Sequence, residues 1–333
     1  ANWSQGFPSP TINNLYAGNS DSYESYIDPC SIHSGMRTGQ VATMCADEGV
    51  PAGFVQPGDG SSRQTTEPFT WTSNPALKAE TSTTRTLGLV YNPNWLEGFD
   101  ISLDWWKIDI ENAISRPEAQ FILDKCYEGN ATEQAVYCGL FARDPGYPGD
   151  PYIITQMDMP LLNLAEYNVE GWDMRVNYRF RETSIGKFSI NWDSTYLSDW
   201  ATKATPDSAV EQRQGLYLPQ DPYWRVKSNL YLDWALGDWG ATWGMRYKSG
   251  IDEQCPYAGG GVSAKAYCSD PDRRTANGPE PRNYLGAVTY HDIQVRYNTP
   301  WNATVSVGAN NVFDKQPPLA LTARYNQFDP QYD

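Results

Sequence analysis

Apolar and polar residues alternate one for one through long stretches, and the pattern recurs along most of the chain. Phe188, Ile190, Trp192, Tyr196 and Trp200 are separated by Ser189, Asn191, Asp193, Thr195, Leu197 and Asp199. Trp172, Met174, Val176, Tyr178 and Phe180 alternate with Asp173, Arg175, Asn177 and Arg179. Trp224, Val226, Leu230, Leu232 and Trp234 oppose Arg225, Lys227, Asn229 and Asp233, and Ala241, Trp243, Met245 and Tyr247 oppose Arg246 and Lys248. Ile293, Val295 and Tyr297 oppose Asp292, Gln294 and Arg296. Phe99, Ile101, Leu103 and Trp105 oppose Asp100, Ser102 and Asp104, after which the apolar parity passes to Trp106, Ile108 and Ile110, as a bulge or an exit from a bilayer would require. A period of two defines strands with one apolar and one polar face.

A soluble sandwich and a membrane barrel both satisfy that pattern, and the connections separate them. Strands fall near 1–6, 79–91, 99–113, 165–180, 187–201, 222–236, 239–250, 284–298 and 301–311. The segments between them are by turns long (7–78, 114–164, 202–221, 251–283) and short (92–98, 181–186, 237–238, 299–300). Long loops on one side and tight turns on the other mark an outer-membrane barrel, with the long loops extracellular. Mean hydropathy is −0.60 and no run reaches the roughly 18 apolar residues of a spanning helix, but a barrel averages its lipid and lumen faces. Trp95, Trp239 and Trp301 sit beside the short turns, where an aromatic girdle belongs. The predicted fold is all-β, a transmembrane antiparallel barrel. Phe188, Ile190, Trp192, Trp224, Leu230, Leu232, Trp234, Trp243 and Met245 are expected on its lipid face.

The six cysteines pair by position as Cys30 with Cys45, Cys126 with Cys138 and Cys255 with Cys268, each pair within one long loop. Disulfides formed in an oxidising compartment fit this spacing. Zinc does not, with no CxxC and only His33 and His291 as histidines. The net charge of −15 excludes phosphate-neutralising contact with nucleic acid. No GxSxG, HExxH or phosphate loop occurs; Gly259–Gly261 lacks the lysine and hydroxyl of such a loop, and Asp270-Pro271-Asp272 lacks the glycine and later glutamate of a calcium hand. No enzyme, cofactor or metal centre is expected.

Four segments carry a family resemblance. Gly308 to Pro318 reads GANNVFDKQPP, close to the GxNN(L/V)FD of the penultimate barrel strand in TonB-dependent receptors, with Gly308, Asn310, Asn311, Phe313 and Asp314 as its matching positions. Asn74 to Leu89 resembles the family's NPxLKPETS segment, Ile101 to Ser115 the strand after it, and Asn2 to Tyr16 the segment usually written YSxGFRAPxxxELY, with Pro8 in place of arginine and Asn13-Asn14 in place of glutamate. The resemblance implies a barrel of about 22 strands with a plugged lumen, energised import, and a Gram-negative outer-membrane location. It implies TonB as partner through an upstream region, outer-membrane lipid and lipopolysaccharide as surroundings, and a small ligand. On this reading residues 1–333 are the C-terminal part of one barrel, about strands 13–21, with the plug, earlier strands and last strand outside the sequence.

Passive diffusion through a porin-like channel is the rival. The expected lumen face carries Asp100, Asp104, Asp173, Asp193, Asp199, Asp233 and Asp292 against Arg175, Arg179, Arg225, Lys227, Arg246, Lys248 and Arg296, a balanced wall suited to a folded plug rather than a selective ring. The long loops, with 312–333, hold 25 acids and 14 bases, so anions are disfavoured on approach. Loop aromatics, among them Tyr23, Tyr26, Trp71, Tyr127, Tyr147, Tyr217 and Tyr257, are the candidate ligand contacts. An oligosaccharide or peptide is the expected ligand, with a ferric siderophore as the alternative; the same aromatics could instead pack the loops against one another.

Overall fold

The computed structural model describes all residues except 58–62, 66, 207, 219–220, 255–267, 276–277, 280, 319 and 321–333. Nine strands run as an antiparallel meander, each paired with the next in the chain: β1 (Asn2–Gly6), β2 (Thr81–Tyr91), β3 (Phe99–Ser115), β4 (Leu162–Arg179), β5 (Lys187–Lys203), β6 (Val226–Leu236), β7 (Trp239–Lys248), β8 (Val288–Asn298) and β9 (Thr304–Ala309). A short tenth strand, Glu211–Gln212, pairs with the upper end of β5. The connections are long and short by turns, as expected from the sequence. Strands of 17 and 18 residues in β3, β4 and β5 exceed what the hydrocarbon layer needs and rise above it.

Register sorts the two faces. Phe188 pairs with Trp234, Ile190 with Leu232 and Trp192 with Leu230; Leu230 then meets Met245, Leu232 meets Trp243, and Trp243 meets Ile293. Val295 pairs with Val307, and Leu87, Trp105, Trp172 and Tyr196 line up across β2 to β5. These side chains form one continuous apolar belt. The opposite face is polar and internally paired: Arg246 lies 2.9 Å from Asp292, Arg175 lies 2.6 Å from Asp193, and Asp233 accepts from Thr242 and Asn191. Trp95, Trp239 and Trp301 are exposed beside the short turns.

Two sequence expectations are corrected. Trp224 is not on the lipid face. The chain bends just before β6 begins at Val226, and Trp224 is buried among residues of the polar side. Of the two readings of the parity change after Trp105, the exit from the bilayer holds, because β3 pairs with β2 without a shift from Ile101 opposite Tyr91 to Glu111 opposite Thr81, and the β3–β4 register is interrupted only higher, between Asn163 and Tyr167. The parity of apolar residues changes because the strand has left the membrane, where the outward side takes charges and the inward side packs. A bulge does occur in β5, where Glu170 faces Asp199 but Gly171 faces Leu197. It carries Asp199 outward, out of the expected lumen set, and turns Trp200 inward.

The loops are folded. Segments 7–80 and 116–161 form a single body around Phe69, Ile122, Leu123, Met157 and Met159, all essentially inaccessible. A sheet of four short strands (Ser20–Ser22, Phe69–Thr72, Ile153–Pro160, Phe141–Asp144) stands beside three helices, α1 (Gly39–Asp47), α2 (Ala119–Tyr127) and α3 (Ala131–Tyr137). The sequence reading left these helices as loop. Asn130 caps α3 with a capping box completed by Glu133. Disulfides Cys30–Cys45 and Cys126–Cys138 staple the body as predicted; Cys255, half of the third expected pair, lies outside the described residues. A second, smaller core gathers Tyr217, Trp224, Ile251, Leu285, Val288, Tyr290 and Ala320.

Candidate ligand pocket at the barrel mouth

The stapled body is built around one guanidinium. Arg143 donates to both carboxylate oxygens of Asp28 at 2.6 and 2.7 Å, to Glu48 at 3.0 Å, to the Tyr127 hydroxyl at 2.8 Å and to the Tyr152 carbonyl at 3.1 Å. Burial alone would lower its pKa, but the Asp28 carboxylate outweighs burial and raises it. Burial raises the Tyr26 and Tyr127 phenols far above their usual value, with Asp28 adding to the first and Glu48 to the second. This network holds the fold and engages every nitrogen of the Arg143 guanidinium.

Most of the expected ligand-contacting aromatics belong to these cores. Tyr26, Tyr127 and Tyr217 are buried. Tyr147 packs against the first core and donates to Glu67 at 2.7 Å. Trp71 is partly exposed, with Arg116 over its ring at 5.0 Å and its indole N–H on Glu24, and Tyr23 is exposed. Tyr257 lies outside the described residues.

A different set of rings surrounds open space. Trp106, Leu197, Trp200, Pro222, Tyr223 and Trp224, with Thr195 and Lys227, line a cavity of about 440 Å³ on the inward side, just above the membrane-spanning part of β3, β5 and β6. Each gets there for a structural reason. Trp106 follows the last residue of the belt and takes the opposite face. Trp200 is turned inward by the β5 bulge, and meets Tyr223 edge to face with centroids 4.5 Å apart. Gly171 pairs with Trp106, and a Cβ there would lie 2.5 Å from the indole ring, so glycine makes room for it. Lys227 and Lys248, neighbours across β6 and β7, each place an ammonium 4.9 Å from the centre of the Trp224 ring. The Trp106 indole N–H is shielded from solvent and has no acceptor among the described residues. A buried donor without a partner is costly to the fold.

The arrangement can hold planar groups between rings while the Lys227 ammonium takes negative or acceptor atoms. A larger recess of about 670 Å³, around Trp95, Tyr178, Phe180 and Phe188, lies on the apolar face near the short turns, where lipid is the neighbour. The sequence reading missed the pocket, although the parity change after Trp105 pointed at Trp106.

The family-motif segment closes this side of the sheet. The Asn311 backbone N–H donates to Asp292 at 2.7 Å, joining it to the Arg246 pair. Asn311 adopts a left-handed conformation, and its side chain bonds both ways with the Lys315 backbone; Asp314 is left-handed too. A Cβ on Gly308 would lie 2.9 Å from the Ile293 carbonyl, and Phe313 lies edge-on to His291. Asn310 is exposed. The motif is a strand-ending device, with no ligand chemistry of its own.

An up-and-down sheet with an apolar belt, aromatic rims and one-sided folded loops defines an outer-membrane β-barrel. The chain belongs to the TonB-dependent receptors: residues 1–312 match the family described as TonB dependent receptor-like, beta-barrel. No curated protein sequence matches it. Among solved structures, a mutant of the ferric enterobactin receptor PfeA from Pseudomonas aeruginosa superposes with TM-score 0.54 at 16% identity, over 95% of this chain and 33% of that one. A second PfeA mutant, in complex with enterobactin, gives 0.53 at 17%, over 94% and 32%. The siderophore receptor PirA from Acinetobacter baumannii gives 0.47 at 14%, over 75% and 30%. The chain thus spans about a third of the length of these receptors. Its place is the Gram-negative outer membrane, and its family are transporters rather than enzymes.

Proposed function

We propose that the intact protein imports an anionic ligand carrying planar rings, of the ferric-siderophore type, with energy delivered through TonB, and that residues 1–333 are the C-terminal part of its barrel. The observation that carries this reading is the inward pocket, where Trp106, Trp200 and Tyr223 offer ring faces while Lys227 and Lys248 bracket Trp224. Lys227 is the charged residue of the lining. Aromatic faces supply contact area at low entropy cost, and the lysines select for negative charge. One PfeA structure named above is, by its title, in complex with enterobactin.

An oligosaccharide or peptide is the second reading. The acidic loops and the exposed Tyr23 and Trp71 on the stapled body favour it. Titration of the intact receptor with ferric siderophores, oligosaccharides and peptides separates the two. Our reading expects salt-sensitive binding of an anionic ring-bearing ligand, and uptake that stops when TonB is deleted. Binding confined to neutral glycans would transfer the function to the second reading, and uptake independent of TonB would favour a passive channel.

A further inference from the structure

One inward row of the wall changes sign along its length. Residues opposite one another across five strands read Asp104 on β3, Asp173 on β4, Thr195 on β5, Lys227 on β6 and Lys248 on β7. Carboxylates stand at one end and ammonium groups at the other. Thr195 is the neutral step between them, and with Lys227 it lines the mouth pocket.

The Thr195 hydroxyl is held in one orientation. It donates to Asp173 Oδ1 at 2.6 Å. A carboxylate has no hydrogen to give, so the single hydrogen of Thr195 is committed to that bond and its remaining lone pairs can only accept. The Lys227 ammonium is the converse, with donors and no acceptor. Residues directly opposed on antiparallel strands, as Thr195 and Lys227 are, carry their Cβ atoms about 4.5–5.5 Å apart. The pocket therefore sets a group that only accepts beside a group that only donates.

We propose that Thr195 is a specificity-determining residue of this pocket, and that the ligand carries an O–H or N–H donor about 5 Å from its negative group. This rests on the anionic reading of the pocket and adds a second requirement to it. A planar ring with a hydroxyl at one edge and an anionic oxygen at the other meets both demands, its faces against Trp200 and Tyr223 and its anionic oxygen on Lys227. Capping that hydroxyl with a methyl group sets one acceptor against another, and neither oxygen can supply the missing hydrogen. A site built to accept from a ligand rejects the analogue that has nothing to donate. Asp173 is the positioning residue, acting on the ligand only through the Thr195 hydroxyl.

The test is a ligand-observed nuclear magnetic resonance titration of the intact receptor with meta-hydroxybenzoate, meta-methoxybenzoate and meta-hydroxybenzamide. The hydroxybenzoate is expected to bind about fivefold more tightly than its methyl ether. Thr195→Val keeps the shape of the side chain and should abolish that preference. Thr195→Ser, whose hydroxyl can make the same bond to Asp173, should keep it. Asp173→Ala should shrink it, because the Thr195 hydroxyl can then turn and donate to the ether oxygen. Trp200→Ala should weaken all three probes. The amide probe tests the anionic reading separately: equal binding of hydroxybenzoate and hydroxybenzamide, with the hydroxyl preference intact, would sink that reading and support the role of Thr195. Equal binding of hydroxybenzoate and its ether, a preference that survives Thr195→Val, or probes indifferent to Trp200→Ala would each overturn the proposal.

Discussion

The stapled loop body and the mouth pocket are both rich in aromatics and charge, but they use them in opposite ways. In the body the buried charges are matched: the Arg143 guanidinium meets Asp28, Glu48 and the Tyr127 hydroxyl, and Tyr26 packs on Phe69. In the pocket Trp106, Trp200, Tyr223 and Lys227 surround a cavity, and the Trp106 N–H lacks an acceptor among the described residues. The lesson is that satisfied aromatics report a core and unsatisfied ones report a site. Density of aromatics in a loop does not tell the two apart.

The largest expected effect breaks the body without touching the pocket. Asp28→Ala strands the buried Arg143 charge and should destabilise the body by about 3–5 kcal/mol. Hydrogen exchange should rise across 26–57 and 119–159 while β4 to β8 remain protected; exchange rising equally in the strands would show that body and wall unfold as one. In the pocket, Gly171→Val forces the Trp106 ring aside and should weaken ligand binding about tenfold, or about 1.4 kcal/mol, read by calorimetric titration of the intact receptor. Unchanged affinity would remove Trp106 from the site. Trp106→Phe keeps a ring but deletes the N–H, and should cost about 0.5–1.5 kcal/mol of affinity if the ligand supplies its acceptor. The smallest effect is alkaline. The Tyr26 and Tyr127 phenols are raised in the folded body, first by burial. Their contribution to stability is therefore intact below about pH 10, where an unfolded tyrosine begins to ionise, and is lost as pH rises beyond it. In difference titrations against the Tyr26→Phe and Tyr127→Phe variants, the tyrosinate absorbance of these two phenols should appear only together with loss of near-ultraviolet dichroism of the body; earlier appearance would mean that they are accessible.

Much of the fold was legible because the membrane imposes a period. Six of the nine wall strands and the belt from Phe188 to Met245 follow from parity alone. Parity failed where the membrane no longer acts. Above it Trp224 bends inward, Trp200 follows a bulge that no sequence period announces, and Lys107 and Asp109 face outward because water rather than lipid lies there. The local cysteine spacing was readable, since Cys30–Cys45 and Cys126–Cys138 close short segments. The joining of 7–80 to 116–161 was not, because its cement is contacts such as Arg143 with Asp28, 115 residues apart. For the same reason Tyr26 and Tyr127 looked like ligand contacts and are core.

The central claim is that ligand is held by the pocket rather than by the exposed aromatics of the stapled body. Two double variants of the intact receptor, compared for affinity toward the transported ligand, test it most directly: Trp200→Ala with Lys227→Gln in the pocket, and Tyr23→Ala with Trp71→Ala on the body. The account predicts a loss of about a hundredfold, about 2.7 kcal/mol, for the pocket pair and a change within about twofold for the body pair, inside the range of ordinary surface substitutions. A pocket pair that binds normally, with a body pair that does not, would contradict it.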